Sequence, residues 1–294
     1  MTTQPPVRTS DRLLVLVAAF LFSTGGAAVK ACSITGWQVA SLRSGIAAAT
    51  LLLLLPSARK GWSWRTWLVG FAYAATMITF VIGNKLTTAA NTVFLQSAAP
   101  LYILILGPLL LHEPIRRRQL WFLAALAIGM GLILAGGQPA SATAPDPFLG
   151  NVVGLAAGIF WALTIIGLRW LGREQHDEAA GSSAAPAVAC GNIIACLVTL
   201  PAALPIPGAK PSDLAIVAFL GIFQVAVAYM FLIRGVRRVG ALEASLLILL
   251  EPVLSPVWAW LVHGEKPASL ALLGGAVIVV ATAIYTIVGE SSER

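Results

Sequence analysis

The sequence predicts an all-α integral membrane protein whose ten transmembrane helices form two inverted five-helix repeats. Its composition is the first observation: the 294 residues are 58% hydrophobic and only 11% charged. A soluble domain carries roughly 25% charged residues, so this chain has too little charge to cover a surface in water. A regular series of apolar segments and an internal repeat are the second and third observations.

Ten segments are long and apolar enough to cross a bilayer, for which about 20 residues are needed. They are 13–31, 37–55, 67–85, 91–111, 119–136, 148–170, 184–204, 213–234, 243–263 and 269–289. The polar start, 1–12, is followed by no clear cleavage site, so we expect the first segment to remain as a helix. The connections are short, and even 137–147 and 172–183 leave no room for a soluble domain.

Basic residues predict the orientation of these segments. If the N-terminus is cytoplasmic, 14 Lys and Arg residues fall on the inner side and four on the outer side, with Arg43 left inside the second segment. Positive residues concentrate in cytoplasmic loops, so this division places both termini inside. We therefore expect a multi-pass protein of a bacterial-type inner (plasma) membrane.

The second half of the chain repeats the first. A shift of 152 positions lays Pro100 on Pro252, Glu113 on Glu265 and Gly83 on Gly235. Five segments in each copy place the second copy upside down in the bilayer. We expect a first repeat at 13–136, a linker at 137–147 and an inverted second repeat at 148–289. Inverted repeats are typical of secondary transporters, whose substrate site lies between the copies.

Prolines and glycines predict where the helices bend or approach each other. Pro100 and Pro252 interrupt corresponding segments, so we interpret both as gating candidates. Asn91, near the outer mouth, is a further gating candidate, although helix capping explains it equally well. Gly150 and the glycines at four-residue spacing after it predict a close approach of another helix.

Two stretches identify a family. Residues 97–114 read SAAPLYILILGPLLLHEP and residues 249–267 read LLEPVLSPVWAWLVHGEKP. They resemble the EamA-type repeat of the drug/metabolite transporter superfamily, and the resemblance covers about 13–290. It implies a central cavity lined by spans one, three, four, six, eight and nine, with spans five and ten at the periphery. Ten-helix bacterial members of this length resemble exporters of amino acids and metabolites, aromatic amino acids among them.

Glu251 is the most informative polar residue, because a carboxylate near the middle of a span is costly and is a functional candidate by default. One interpretation is a coupling carboxylate that takes up a proton or binds a substrate ammonium. The other is a structural acid that pairs with backbone groups freed by Pro252. The corresponding residue of the first copy is Ala99, so the repeat itself does not require an acid.

Uncharged polar and aromatic residues complete the predicted substrate site. Gln96 and Gln224 lie near mid-span and suit an amino acid's ammonium and carboxylate, or else they join helices. Deep aromatic residues suit an apolar side chain, although packing explains each one alone. The predicted substrate-binding residues are Gln96, Tyr102, Trp161, Gln224, Tyr229, Glu251 and Trp258.

Charged residues at or within the span edges are interpreted more simply. We expect Lys30 to extend toward the outer membrane surface. Glu113 and Glu265 are interpreted as structural turn residues. Arg43 either attracts a substrate carboxylate or packs and extends toward the interface, and the second interpretation is preferred.

Missing motifs exclude other functions. No phosphate-binding loop is present, and the three histidines are too scattered to form a metal site. We expect no enzyme activity, no cofactor, no metal and no nucleic acid. The partners we expect are a small-molecule substrate, favouring amino acids, and membrane lipid, with the protein acting as a monomer. The preferred function is export of small amphipathic metabolites by alternating access. The alternatives are a multidrug or cationic-compound exporter and an integral-membrane enzyme or lipid-binding protein.

Overall fold

The computed structural model describes residues 9–110, 117–173, 180–236, 239 and 241–291. Within these ranges the secondary structure is helical, apart from one isolated bridge between Ser141 and Ala144 in the central linker. The predicted all-α fold is therefore confirmed. Glu113, which the sequence assigned to a turn, lies outside the described residues.

The helices of the first half form five membrane crossings, two of which are broken. A turn at Thr24 separates α1 from α2, and a turn at Ala98 separates α5 from α6. The helices are α1 Thr9–Ser23, α2 Gly25–Ala31, α3 Gly36–Leu54, α4 Trp64–Leu86, α5 Ala89–Ser97, α6 Ala99–Leu110 and α7 Arg117–Ala135.

The second half repeats this pattern with a different irregularity. A π-helical segment, Leu220–Val227, lies within its third crossing, and a turn at Leu249 divides its fourth. The helices are α8 Pro147–Arg173, α9 Ala180–Ala203, α10 Pro211–Phe219, α11 Ala228–Val236, α12 Ala241–Ile248, α13 Leu250–His263 and α14 Ser269–Ser291.

Nine stretches among the described residues are long and apolar enough to cross a membrane, and Gln119–Ala135 is a shorter apolar helix. The shorter helix corresponds to the predicted fifth span. The structure thus agrees with a ten-helix membrane protein.

Contacts at the two ends of the bundle show the direction of each crossing. At the end where α1 begins, called the termini end, Arg12 pairs with Glu243 at the start of α12. At the opposite end, called the far end, Lys30 in the last turn of α2 pairs with Glu265 after α13. The amide of Asp146 donates to Leu86 O at the far end, so α8 starts where α4 finishes. The second half therefore begins in the opposite direction from the first.

Local chemistry explains several helix boundaries. Thr35 accepts from the amide of Gln38 and Ser63 from that of Thr66, so each caps the helix that follows. Pro100 and Pro252 each lie in the first turn after a break, where a missing amide proton costs least. Pro256 lies inside α13 without ending it.

Glycines allow the helices around the centre to pack closely. A Cβ added at Gly150 would lie 2.5 Å from the amide nitrogen of Thr87, and one at Gly158 would lie 2.7 Å from Leu95 O. The close approach predicted for the first turns of α8 is confirmed. The helices α7 and α14 pack against each other, where Gly129 meets Gly274.

Candidate functional site

A cavity of about 310 Å³ lies at the centre of the bundle, between the two halves. Both halves supply its wall, since residues from α1 and from α3 to α6 face residues from α8 to α14 across it. The lining residues are Phe22, Arg43, Met77, Phe80, Val93, Gln96, Ser97, Ala99, Pro100, Trp161, Ile165, Gln224, Val225, Tyr229, Leu232, Ser245, Ile248, Leu249, Glu251, Pro252 and Thr282.

The irregular parts of the helices meet at this cavity. Phe22 precedes the break between α1 and α2, Gln96 precedes the break at Ala98, and Glu251 follows the break at Leu249. Gln224 belongs to the π-helical segment. Broken and π-helical turns are frequent at functional sites, because they redirect side chains and free backbone groups.

Seven of the predicted site residues line the cavity. They are Gln96, Pro100, Trp161, Gln224, Tyr229, Glu251 and Pro252. These residues lie on helices of both halves of the chain, and the packing of those helices brings them together.

The other three predicted residues lie elsewhere. Trp258 donates its indole hydrogen to the hydroxyl of Ser23 at 2.9 Å, which fixes α13 against α1. Asn91 donates to Asn151 Oδ1 at 3.0 Å in a buried cluster at the far end. Tyr102 packs beside Gly158 on α8. None of them is among the residues that line the central cavity.

The amide and carboxyl groups of the cavity have unused hydrogen-bonding capacity. Gln224 donates only a long bond of 3.4 Å to Phe22 O, and its Oε1 has no partner. Oε1 of Gln96 also lacks a partner. Glu251 forms no hydrogen bond or ion pair with the described part of the chain. Three acceptor groups on residues that line the cavity are therefore left without a hydrogen-bond partner among the described residues.

Aromatic rings form one wall. Tyr229 makes edge contacts with Phe22 and Tyr73 at centroid distances of 5.1 and 5.6 Å. Trp161 lines the cavity from α8. Such a wall buries an apolar or aromatic group while the polar groups orient it.

Arg43 is the charged residue of the cavity lining that the sequence did not place in the site. It is only 1% exposed and lies within α3, the second span, which the family resemblance did not place among the lining spans. Arg43 packs against Met77 and Phe80, as one of the two expectations held, but it does not extend toward the interface and it also lines the central cavity. The sequence did contain an indication of this role, because Arg43 is a charged residue well inside an apolar span.

A buried polar cluster joins the two halves at the far end. Lys30 Nζ lies 3.0 Å from Glu265 Oε2 and donates to the carbonyls of Thr87 and Thr143. Glu265 Oε1 accepts from the amide of Ala89 at 2.6 Å. The expected extension of Lys30 toward the surface is therefore wrong, since its side chain is 3% exposed and joins the two halves.

The chain is similar along most of its length to known membrane transporters. The chain matches the EamA-like transporter family twice, over residues 11–135 and 148–287. It is 25% identical over 281 residues to the pseudopaline exporter CntI of Pseudomonas aeruginosa, covering 92% of this chain and 94% of that one. It is 23% identical to the uncharacterized transporter YyaM of Bacillus subtilis, covering 68% and 65%. A solved crystal structure superposes with a TM-score of 0.62 at 20% identity, covering 98% and 100%, and shows the fold alone.

Proposed function

Because the chain belongs to the EamA-like transporter family, we propose that it exports small amphipathic metabolites, favouring amino acids with aromatic or other hydrophobic side chains. Its termini are cytoplasmic in this proposal, following the distribution of basic residues. Substrate enters the central cavity at the termini end and leaves at the far end.

The observation that carries the proposal is the composition of the cavity wall. Its volume of about 310 Å³ lies at the lower limit of the roughly 300–1,000 Å³ found for small-molecule sites. Aromatic rings, unpartnered amide oxygens and an unpartnered carboxylate surround one space. An amino acid with an apolar side chain carries groups that match each of these features.

Similarity to the pseudopaline exporter supports export of a metabolite. That relative aligns along nearly the whole of both chains, so the comparison concerns the complete bundle and not one helix pair. At 25% identity, however, the residues that select the solute are free to differ, so the substrate is proposed from the cavity and not from the relative.

Alternating access is supported by the asymmetry between the two ends. At the far end the Lys30–Glu265 pair is buried between the two halves, whereas lining residues such as Leu232 and Ser245 extend the cavity toward the termini end. The matched breaks at Ala98 and Leu249 provide corresponding bending points in the two halves. Bending there opens the cavity to one side at a time.

The direct test is counterflow in proteoliposomes. Purified protein is reconstituted with unlabelled L-phenylalanine inside, and uptake of labelled L-phenylalanine is compared with that of protein-free liposomes, with and without a pH gradient. The same assay is run with L-tryptophan and L-leucine. Transient accumulation of at least one amino acid is the expected result, and no accumulation of any of them refutes the proposed substrate class.

We expect Glu251→Gln to separate coupling from binding. Glutamine has the same shape and still accepts a hydrogen bond from an amine, so counterflow at equal pH should persist, although with a weaker affinity for the substrate. Glutamine cannot exchange a proton. A gradient of about one pH unit is worth about 1.4 kcal/mol per proton, or about tenfold accumulation, and the variant should lose this response. Transport driven by an imposed gradient is the measurement.

Glu243→Gln is the matched control, because Glu243 begins the same crossing and pairs with Arg12 at the exposed termini end. It should keep the pH response. A Glu251→Gln protein that responds to the gradient like the wild type would show that Glu251 is not the coupling group.

A multidrug or cationic-compound exporter is the second candidate. The free carboxylate of Glu251 among aromatic rings favours it, because these groups together attract hydrophobic cations. Growth of expressing cells on toxic dyes and on toxic amino-acid analogues distinguishes the two candidates. Protection against dyes alone would favour the cationic substrates.

A further inference from the structure

Arg43 is a buried cation that has no counter-ion among the residues that the structure describes. It occupies the eighth of the 19 positions of α3, so it lies near the middle of the crossing. Its Nη2 lies 3.2 Å from the thioether sulfur of Met77, and its Cζ lies 5.9 Å from the centre of the Phe80 ring. Its Nε and Nη1 atoms have no hydrogen-bond partner.

No ion pair joins Arg43 to a carboxylate in the part of the chain that the structure describes. The contacts that it does make are weak, since a thioether is a poor acceptor and a ring face only partly replaces an anion. Arginine stays protonated in proteins, so the side chain cannot escape the cost of burial by becoming neutral. A buried charge left uncompensated is strongly unfavourable.

The neighbouring polar groups do not supply the missing anion. Gln96 and Gln224 offer neutral amide oxygens, which also lack partners. Glu251 lines the same cavity but makes no contact with Arg43 that meets an ion-pair distance. The cavity thus presents a cationic donor group and, separately, a set of acceptors that suit an ammonium group.

We propose that Arg43 binds the carboxylate of the transported solute, so that the cavity selects molecules carrying both a carboxylate and a protonated amine. This inference rests on the proposed export function and names its substrate class more narrowly. The planar guanidinium matches a carboxylate with two parallel hydrogen bonds, which is stronger and more directional than a contact with a neutral group. Glu251 and the glutamine oxygens receive the amine.

Ligand binding by the purified protein tests the role of Arg43 without transport. The probes are L-phenylalanine, 3-phenylpropionate, which lacks the amine, and L-phenylalanine methyl ester, which lacks the carboxylate. Thermal unfolding in detergent is measured over a concentration series. We expect L-phenylalanine to raise the unfolding temperature of the wild type most, 3-phenylpropionate to raise it less because it lacks the amine, and the ester to have little effect.

We expect Arg43→Gln to weaken binding of both acids about tenfold or more, because a hydrogen bond to a charged group is lost. Arg43→Lys should bind with intermediate affinity, since lysine keeps the positive charge but cannot form the two parallel hydrogen bonds of the guanidinium. Arg169→Gln, a change at an exposed arginine of α8, is the matched control and should bind like the wild type. Unchanged acid binding by Arg43→Gln would overturn the proposal.

Stability without ligand gives a second readout. If the charge is kept for a ligand, removing it relieves an unfavourable burial, so Arg43→Gln should unfold at the same or a higher temperature than the wild type. A large decrease, or failure to fold, would show that Arg43 has a structural role instead.

A wild type that binds the ester as well as the acids, or binds none of the acids, would also overturn the proposal.

The two proposals fail in different ways. A wild type that binds the acids in detergent but shows no counterflow refutes export and retains the carboxylate site. A wild type that transports L-phenylalanine and its methyl ester equally well supports export and refutes the role of Arg43.

Discussion

Replacing Lys30 with methionine is expected to destabilise the protein by about 3–5 kcal/mol, because it leaves the buried carboxylate of Glu265 without its counter-ion. The two side chains are 3% and 2% exposed, so water does not compensate for the loss. Glu265→Gln should have a smaller effect, since Lys30 keeps the carbonyls of Thr87 and Thr143 as acceptors. Chemical unfolding in mixed detergent micelles measures the difference.

The double variant, Lys30→Met with Glu265→Gln, should recover part of the stability lost in Lys30→Met, because no charge is then left unpaired. The exposed pair of Arg12 and Glu243 is the control. Its side chains are 50% and 35% exposed, so Arg12→Gln should cost at most about 1 kcal/mol. Equal effects at the two sites would contradict the burial argument.

The same cluster connects stability to transport. Lys30 and Glu265 come from different halves, and Ala89 contributes an amide from the start of α5. In the proposed export cycle, release at the far end would require these contacts to separate. We therefore expect the double variant, if it folds, to favour the state open at the far end. Labelling of a cysteine introduced at Ala89, compared with the otherwise wild-type background, measures this change.

Gly191→Ala is expected to have the second large effect, destabilising the protein by about 1–3 kcal/mol through overpacking. A Cβ at this position would lie 2.5 Å from Cδ1 of Tyr73 and 2.8 Å from Gly70 O. A backbone oxygen cannot move aside by changing rotamer, so α4 and α9 must separate. Tyr73 contacts Tyr229 in the cavity wall, so transport should fall as well.

Gly131→Ala is the matched control for this prediction. No atom lies within 4 Å of the Cβ that it would add in α7, so the change should be neutral or stabilise the helix by up to about 1 kcal/mol. Thermal unfolding and counterflow of L-phenylalanine are measured for both variants. A Gly191→Ala protein as stable as Gly131→Ala would show that α4 and α9 do not cross as closely as described.

The fold was predictable because the bilayer imposes a simple rule on the sequence. A span must satisfy its backbone hydrogen bonds internally and present apolar side chains, so apolar segments of about 20 residues identify helices directly. The shift that lays Pro100 on Pro252 adds the repeat, and the structure has its helix breaks at Ala98 and Leu249, next to these prolines. The uninterrupted course of α13 at Pro256 was not predictable, since neighbouring helices decide whether a proline ends a helix in the membrane.

The cavity was predictable only in part. Gln96, Gln224 and Glu251 were identified because polar groups within a span are costly anywhere except at a protein interface or cavity. Trp258 and Tyr102 also lie deep within their spans, but they are not among the residues that line the cavity. Depth along a helix can be read from the sequence, whereas the rotation of the helix about its axis depends on packing against its neighbours.

By itself, the sequence determined the membrane class, the number of spans and the repeat, because each follows from hydropathy and residue order along the chain. The tertiary structure alone decided which charges are paired. Lys30 pairs with Glu265 across the two halves, whereas Arg43 lines the cavity and forms no ion pair with any carboxylate in the described part of the chain. The cost of a buried charge depends on groups within a few ångströms of it, and residues hundreds of positions apart in the chain supply those groups.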